Sequence, residues 1–268
     1  GEKPNRKRMA TVAAVYSVPS HARTAEQVMG LEEREDKPPR AQDKRVWASL
    51  ERDMSEVIDD QFCEALTRDP DQRRPWVVLL DGNLTQLSLV ESAIEKHGVS
   101  AVVTLDFIHV LEYLWKAAHC FHAPGTEEAE VWVRERALRI LQGHSSHVAA
   151  GMRRSATLQA LPTESRKGVD KCADYLLKYR DYLRYDENLR RGLPIATGVI
   201  EGACRHLIKD RMDVTGARWG LPGAEAILKL RSMRSSGDLD EYWLFHRSRA
   251  RERNHYEKYA DHQLPKAA

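Results

Sequence analysis

Three acidic positions in this chain stand where a carboxylate can do chemistry. Asp81 follows the apolar run WVVLL (76–80) and precedes Gly82, so its side chain can reach an open edge with no bulky neighbour in the way. Asp106 follows a second apolar run, AVVTL (101–105), and forms a D-x-x-H step with His109. Three-residue spacing puts both side chains on one helical face, where a carboxylate and an imidazole can support a metal ion or each other. Glu201 lies in ATGVIEGACRHLIKDR among the small residues Gly198, Gly202 and Ala203, which let a backbone or a ligand come close. Each position also has a local reading. Asp-Gly-Asn is turn chemistry that caps a following helix, and Asp106 can be an N-cap beside a satisfied histidine. Glu201 and Arg205, four apart, can be a surface pair worth roughly a few tenths of a kcal/mol.

The elements that must position these groups follow from the hydrophobic pattern. Met9 to Val18 (MATVAAVYSV) reads as a buried strand ended by Pro19. Residues 22–45 are charged and carry Pro38 and Pro39, so they read as a solvated loop with one short helical turn. From Val46 to Thr67, Trp47, Leu50, Met54, Val57, Ile58, Phe62 and Leu66 recur at three- and four-residue steps, which predicts an amphipathic helix. Then strand and helix alternate: WVVLL, a helix through Glu95 ended by Gly98, AVVTL, and a helix from Phe107. Short joints imply neighbouring parallel strands, and both end on an aspartate at the carboxyl edge, where open α/β sheets bind ligands and metals. Residues 127–191 show no strand pattern and read as a helical block. A helical region over 199–211, the Gly-rich passage TGARWGLPG (215–223), a helix over 224–234 and a polar, basic, frayed tail complete the chain.

Composition narrows the function classes. The 268 residues are 42% hydrophobic and 31% charged, with 42 Lys+Arg against 40 Asp+Glu, a balance too near neutral to imply a polyanion partner by itself. Local clusters around Lys209, Arg211 and Arg218, and over Arg247 to Arg253, can still meet phosphates. No apolar run is long enough to span a bilayer, so no membrane partner is expected. Cys63, Cys120, Cys172 and Cys204 are too scattered for a zinc site and read as reduced cytosolic thiols, most of them filling the core. His119 with His122, and His144 with His147, have ligand-like spacing but no further ligands, and read as polar surface. Trp47, Trp115 and Trp132 fall on apolar faces, while Trp219 can be core or platform. Walker, GxSxG and HExxH motifs are absent from the sequence.

Taken in order, GEKPNRKRMATVAAVYSV, WVVLLDGN, VVTLDFIHVLEYLW and GVIEGACRHLIKDRMDVTGARW resemble the DDE transposases with an RNase H-like fold. The resemblance is to insertion-sequence transposases of the ISKra kind, related to Mutator-like and ISL-type enzymes, and covers essentially the whole chain. It implies an α/β fold, an RNase H-like mixed sheet incomplete at the N-terminus, with a large all-helical insertion. Residues 1–118 would then be the first part of the catalytic core and 119–195 the insertion. Residues 196–245 would return to the core with the glutamate helix, and 246–268 would form a basic tail.

Asp81 matches the second carboxylate of the triad and Glu201 the last; Asp106 and His109 match the D-x-x-H signature that supports the active site. The resemblance implies two Mg²⁺ or Mn²⁺ ions about 4 Å apart, held in part by Asp81 and Glu201, for in-line phosphodiester cleavage and strand transfer. It also implies double-stranded DNA as partner, met by Arg205, Lys209, Arg211 and Arg218, a homo-oligomer on that DNA, and a cytoplasmic, nucleoid-associated bacterial protein. The first aspartate of the family would lie on a strand before Gly1, so this chain alone is expected to be inactive. Two rival readings are a non-catalytic DNA-binding or regulatory remnant and an RNase H-like repair nuclease.

Overall fold

A computed structural model describes residues 8–33, 37–196, 198–214 and 216–259. It is a mixed α/β structure whose described strands form two separate pairs. The chain divides into two units. One comprises Gly1–Ser17, Ala41–Gln61 and Val199–Ala268, and the other Val18–Arg40 and Phe62–Gly198.

In the first unit, β1 (Thr11–Ser17) runs antiparallel to β2 (Gln42–Ser49), with Thr11 opposite Ser49 and Val15 opposite Arg45. Residues 42–45, expected as loop, and 46–49, expected as the start of a helix, are strand instead. Over Arg45–Ala48 the side chains alternate, with Val46 and Ala48 buried and Arg45 exposed. That period of two belongs to a strand, and Trp47 and Leu50 fell on a helical step only by chance. The predicted helix begins at Met54 instead, and the division between the units falls within it.

The C-terminal helices complete this unit. Val46, Ala48, Ala203, Leu207 and Leu228 form its core, with Val12, Ala14, Val199 and Ile208 packed around them. A helix over Leu221–Ser236 lies on β2 and is tied to it near both ends. Buried Glu225 accepts hydrogen bonds from Ser49 Oγ and Leu50 N, each at 2.9 Å. Val46 N donates to Ser236 Oγ at 3.0 Å. Residues expected to fray are helical as far as Asn254, in a helix over Leu239–Asn254 with no buried residue. Residues 260–268 of the expected tail lie outside the described residues.

The second unit follows the sequence reading closely. A short helix, α1 (Ala25–Val28), is closed by a capping box between Thr24 and Gln27. Helix α2 (Met54–Arg68) delivers the chain to β3 (Trp76–Leu80), which pairs in parallel with β4 (Ala101–Leu105), Leu80 opposite Leu105. Between them runs α3 (Leu84–His97), and α4 (Phe107–Ala118) leaves β4 directly. The helical block is α5 (Glu127–Leu141), α6 (Ser145–Leu158), α7 (Lys167–Lys178) and α8 (Tyr185–Arg190).

This block is joined to the strand pair by buried polar contacts. Asn188 Nδ2 donates to Thr104 Oγ1 at 2.7 Å and the Tyr185 hydroxyl donates to Leu105 O at 2.8 Å. Helix α7 crosses α4 at Gly168, where a Cβ would stand 2.6 Å from Lys116 O and 2.7 Å from Cys120 Sγ. Only glycine permits that approach.

Candidate carboxylate site

The carboxyl edge of the β3–β4 pair carries Asp81 and Asp106 as the residues immediately after Leu80 and Leu105, which are partners in the ladder. The parallel register therefore brings both aspartates to one edge, as the strand–helix alternation requires. Asp106 N donates to Leu80 O at 2.7 Å, which holds the start of the second turn against the end of β3.

The two carboxylates are used differently. Asp106 is the N-cap of α4, its Oδ1 accepting from Ile108 N at 2.8 Å, so the local reading of this residue holds. Asp81 is exposed and does not cap α3. That role falls to Asn83, whose Oδ1 accepts from Thr85 N and Gln86 N. Asp81 Oδ1 accepts from Asn83 N at 3.0 Å, a one-turn bond that orients the side chain and leaves Oδ2 open. An exposed carboxylate with a free oxygen is a donor that a hard divalent cation can take.

His109 stands on the first turn of α4. Its Nδ1 is 3.6 Å from Glu112 Oε2, and its ring meets the edges of Tyr113 and Tyr175. Asp81, Asp106 and His109 do not form a ready three-ligand cluster among the described residues. The D-x-x-H spacing correctly places Asp106 and His109 on one helix, but helix capping and ring packing occupy them.

Glu201 belongs to the other unit. It is exposed on α9 (Gly198–Ala203), and the helix then widens into a π-helical stretch over Cys204–Lys209 before α10 (Asp210–Met212). A Cβ on Gly198 or Gly202 would meet nothing within 4 Å, so these small residues leave open space rather than admit a close neighbour. The expected Glu201–Arg205 pair does not form. Arg205 Nε lies 3.8 Å from Asp210 Oδ1, and His206 Nδ1 is 3.0 Å from Asp210 Oδ2. Asp210, not Glu201, is therefore the carboxylate that Arg205 and His206 share.

Arg205, Lys209, Arg211 and Arg218 are all exposed. Arg211 and Arg218 line a shallow cleft of about 370 Å³ with Val214, Ala217 and Trp219, and the Arg211 guanidinium sits 5.6 Å from the centre of the Trp219 ring. Neither arginine has a carboxylate partner among the described residues. Trp219 is half-buried with its indole N–H unpaired, so it is a wall of this cleft rather than plain core. Beyond it stand α11 (Leu221–Ser236), which begins three residues earlier than the sequence reading places it because Pro222 suits a first turn, and α12 (Leu239–Asn254).

Sequence reasoning missed the tyrosines around the Asp81 turn. The Tyr179 hydroxyl donates to Gly82 O at 2.6 Å, and the Tyr175 hydroxyl makes a longer contact of 3.4 Å to Asp81 O. Tyr113 stacks on Tyr175 with ring centres 4.1 Å apart. Burial pushes the Tyr175 hydroxyl well above the ordinary tyrosine range and raises that of Tyr113. The one available signal was the YxxxY step in ADYLLKYRDY, which is indistinguishable from core aromatics without the fold.

The four cysteines are free. Cys172 is the core filler expected, its thiol pushed up to about 12 by burial, and burial also raises Cys204. Cys63 is exposed and so is not among the core fillers. His119, His144 and His147 are exposed, as the surface reading has them. No protein-family model, no curated protein and no solved structure matches the chain.

Proposed function

We propose that this chain is the metal- and DNA-handling part of a DDE-type insertion-sequence transposase with an RNase H-like core. The observation that carries the proposal is the pair of aspartates at one carboxyl edge of a parallel strand pair, with Asp81 exposed and one of its oxygens open.

In this reading Asp81 and Glu201 are ligands to Mg²⁺ or Mn²⁺. Ions held by these carboxylates would supply activation of a water or a 3′-hydroxyl and charge stabilisation at the leaving oxygen of an in-line displacement. Asp106 serves the site by fixing the start of α4, and His109 by packing beside the Asp81 turn. The exposed cations Arg205, Lys209, Arg211 and Arg218 hold duplex DNA by its phosphates, and their contribution weakens with salt. A homo-oligomer assembled on DNA at the nucleoid fits this chemistry. The rival reading, a DNA-binding remnant without catalysis, is favoured by one observation: Asp81, Asp106 and His109 are not gathered as ligands.

The test is duplex binding by the 268-residue chain across a salt series, with and without Mn²⁺. Affinity should fall steeply with salt, and Arg211→Ala should reduce the slope of log K against log salt by about one. Asp81→Asn and Glu201→Gln should each remove the response to Mn²⁺. A flat salt dependence would refute DNA binding. A steep slope with no change in the Mn²⁺ response would leave the remnant reading.

A further inference from the structure

We infer that Tyr175 and Tyr179, at the end of α7, are positioning residues for Asp81, so that the helical block is a working part of the carboxylate site. The inference rests on the proposed metal role of Asp81 and adds the means by which its carboxylate is aimed.

The geometry is a clamp on two consecutive peptide carbonyls. Tyr179 OH donates to Gly82 O at 2.6 Å, and Tyr175 OH lies 3.4 Å from Asp81 O. Gly82 has φ +91°, and a Cβ there would come within 3.0 Å of the Tyr175 hydroxyl. The turn thus has no room for a side chain on the face where the phenols stand, and its backbone conformation is one that glycine adopts without strain. Asp81 Oδ1 is in turn bonded to Asn83 N, so fixing the 81–83 backbone fixes the carboxylate.

The clamp is itself supported. Tyr113 stacks on Tyr175 at 4.1 Å, and the His109 ring packs at 5.4 Å from Tyr113 and 6.1 Å from Tyr175. Tyr179 also leans on Tyr175, ring centres 4.9 Å apart. His109 of the D-x-x-H step therefore acts on Asp81 through the Tyr175 ring, not as a ligand. A ligand held by preorganised partners binds its ion more tightly than one that must be ordered on binding.

The experiment is a Mn²⁺ titration of the full chain, read by the electron paramagnetic resonance signal of free Mn²⁺. Wild type is compared with Asp81→Asn, Tyr179→Phe, the double variant Tyr175→Phe/Tyr179→Phe, and Tyr182→Phe. The last removes a hydroxyl bonded to Glu91 Oε1 (2.6 Å) just beyond the same helix and serves as control. Phenylalanine keeps each ring, and thermal unfolding verifies that the variants fold. Loss of one hydrogen bond should weaken Mn²⁺ binding about three- to tenfold in Tyr179→Phe and further in the double variant, with Tyr182→Phe unchanged. If Asp81→Asn abolishes binding while the double variant binds as wild type, the clamp is refuted and the metal role stands. Equal weakening by Tyr182→Phe would also refute the clamp, because the effect would then be general loosening. If Asp81→Asn binds Mn²⁺ as wild type does, the metal role and the clamp fall together.

Discussion

Asp81 and Glu201, the two carboxylates with the strongest claim to chemistry, are carried by different kinds of backbone. Asp81 leaves a strand whose partner strand is in register and enters a turn held on both sides. Asn83 caps the next helix, and two tyrosines reach the turn's carbonyls. Glu201 stands on one and a half turns of α-helix that pass into a π-helical stretch, with open space around both flanking glycines. One carboxylate is placed by several hydrogen bonds to its turn, the other by the apolar side chains of its own helical segment, Val199, Ala203, Leu207 and Ile208, that pack in the core. Groups held in the first way have little freedom left to lose when a ligand binds; groups held in the second way must be ordered.

The largest test of this contrast is Leu207→Ala. Leu207 is fully buried in the core formed with Val46 and Leu228, so its truncation should cost about 2–5 kcal/mol in urea unfolding. A cost below about 1 kcal/mol would mean that the Glu201 segment is held by something other than this side chain. A smaller effect is expected at the other station. Asn83→Ala removes the acceptor for Thr85 N and Gln86 N and should cost about 1 kcal/mol, because the turn keeps its tyrosine bonds. A loss of 3 kcal/mol or more would show that the cap, not the tyrosines, holds the turn.

The smallest effect is a pH dependence at the entrance to β3. Trp76 Nε1 donates to Asp69 Oδ2 at 3.0 Å, and Arg73 N and Arg74 N donate to the same carboxylate, which holds its pKa below the usual range. A depressed carboxylate contributes stability above its unfolded pKa of about 3.9 and loses it as pH falls through the lower folded value. The stability gap between wild type and Asp69→Asn should therefore narrow below about pH 4 in urea midpoints taken from pH 3 to 6. A gap that stays constant would remove Asp69 from the anchoring of this strand.

Much of the second unit was legible from residue order. WVVLL, AVVTL and the helix after each are local patterns joined by short connections, and Asp106 as N-cap needs only its neighbours. The first unit was harder for a physical reason. The first half of its β2 strand, QDKRVWAS, is polar or charged, and only antiparallel pairing with β1 and a covering helix bury Val46 and Ala48. A helical step shared by Trp47, Leu50 and Met54 then outweighed a two-residue alternation too short to stand out.

The sequence by itself determined the local grammar of this protein: which runs are apolar enough to be strands, where glycines and asparagines stop and start helices, and which carboxylates follow strands directly. Those choices depend on neighbours within a few residues, whose sterics and hydrogen bonds act without the rest of the chain. Tertiary structure alone decided that β1 pairs with a strand some thirty residues on, that Glu225 is buried against the end of β2, and that two tyrosines nearly a hundred residues downstream close on the Asp81–Gly82 turn. Such contacts form only when burial of distant apolar surface has already brought the segments together, and no local spacing encodes them.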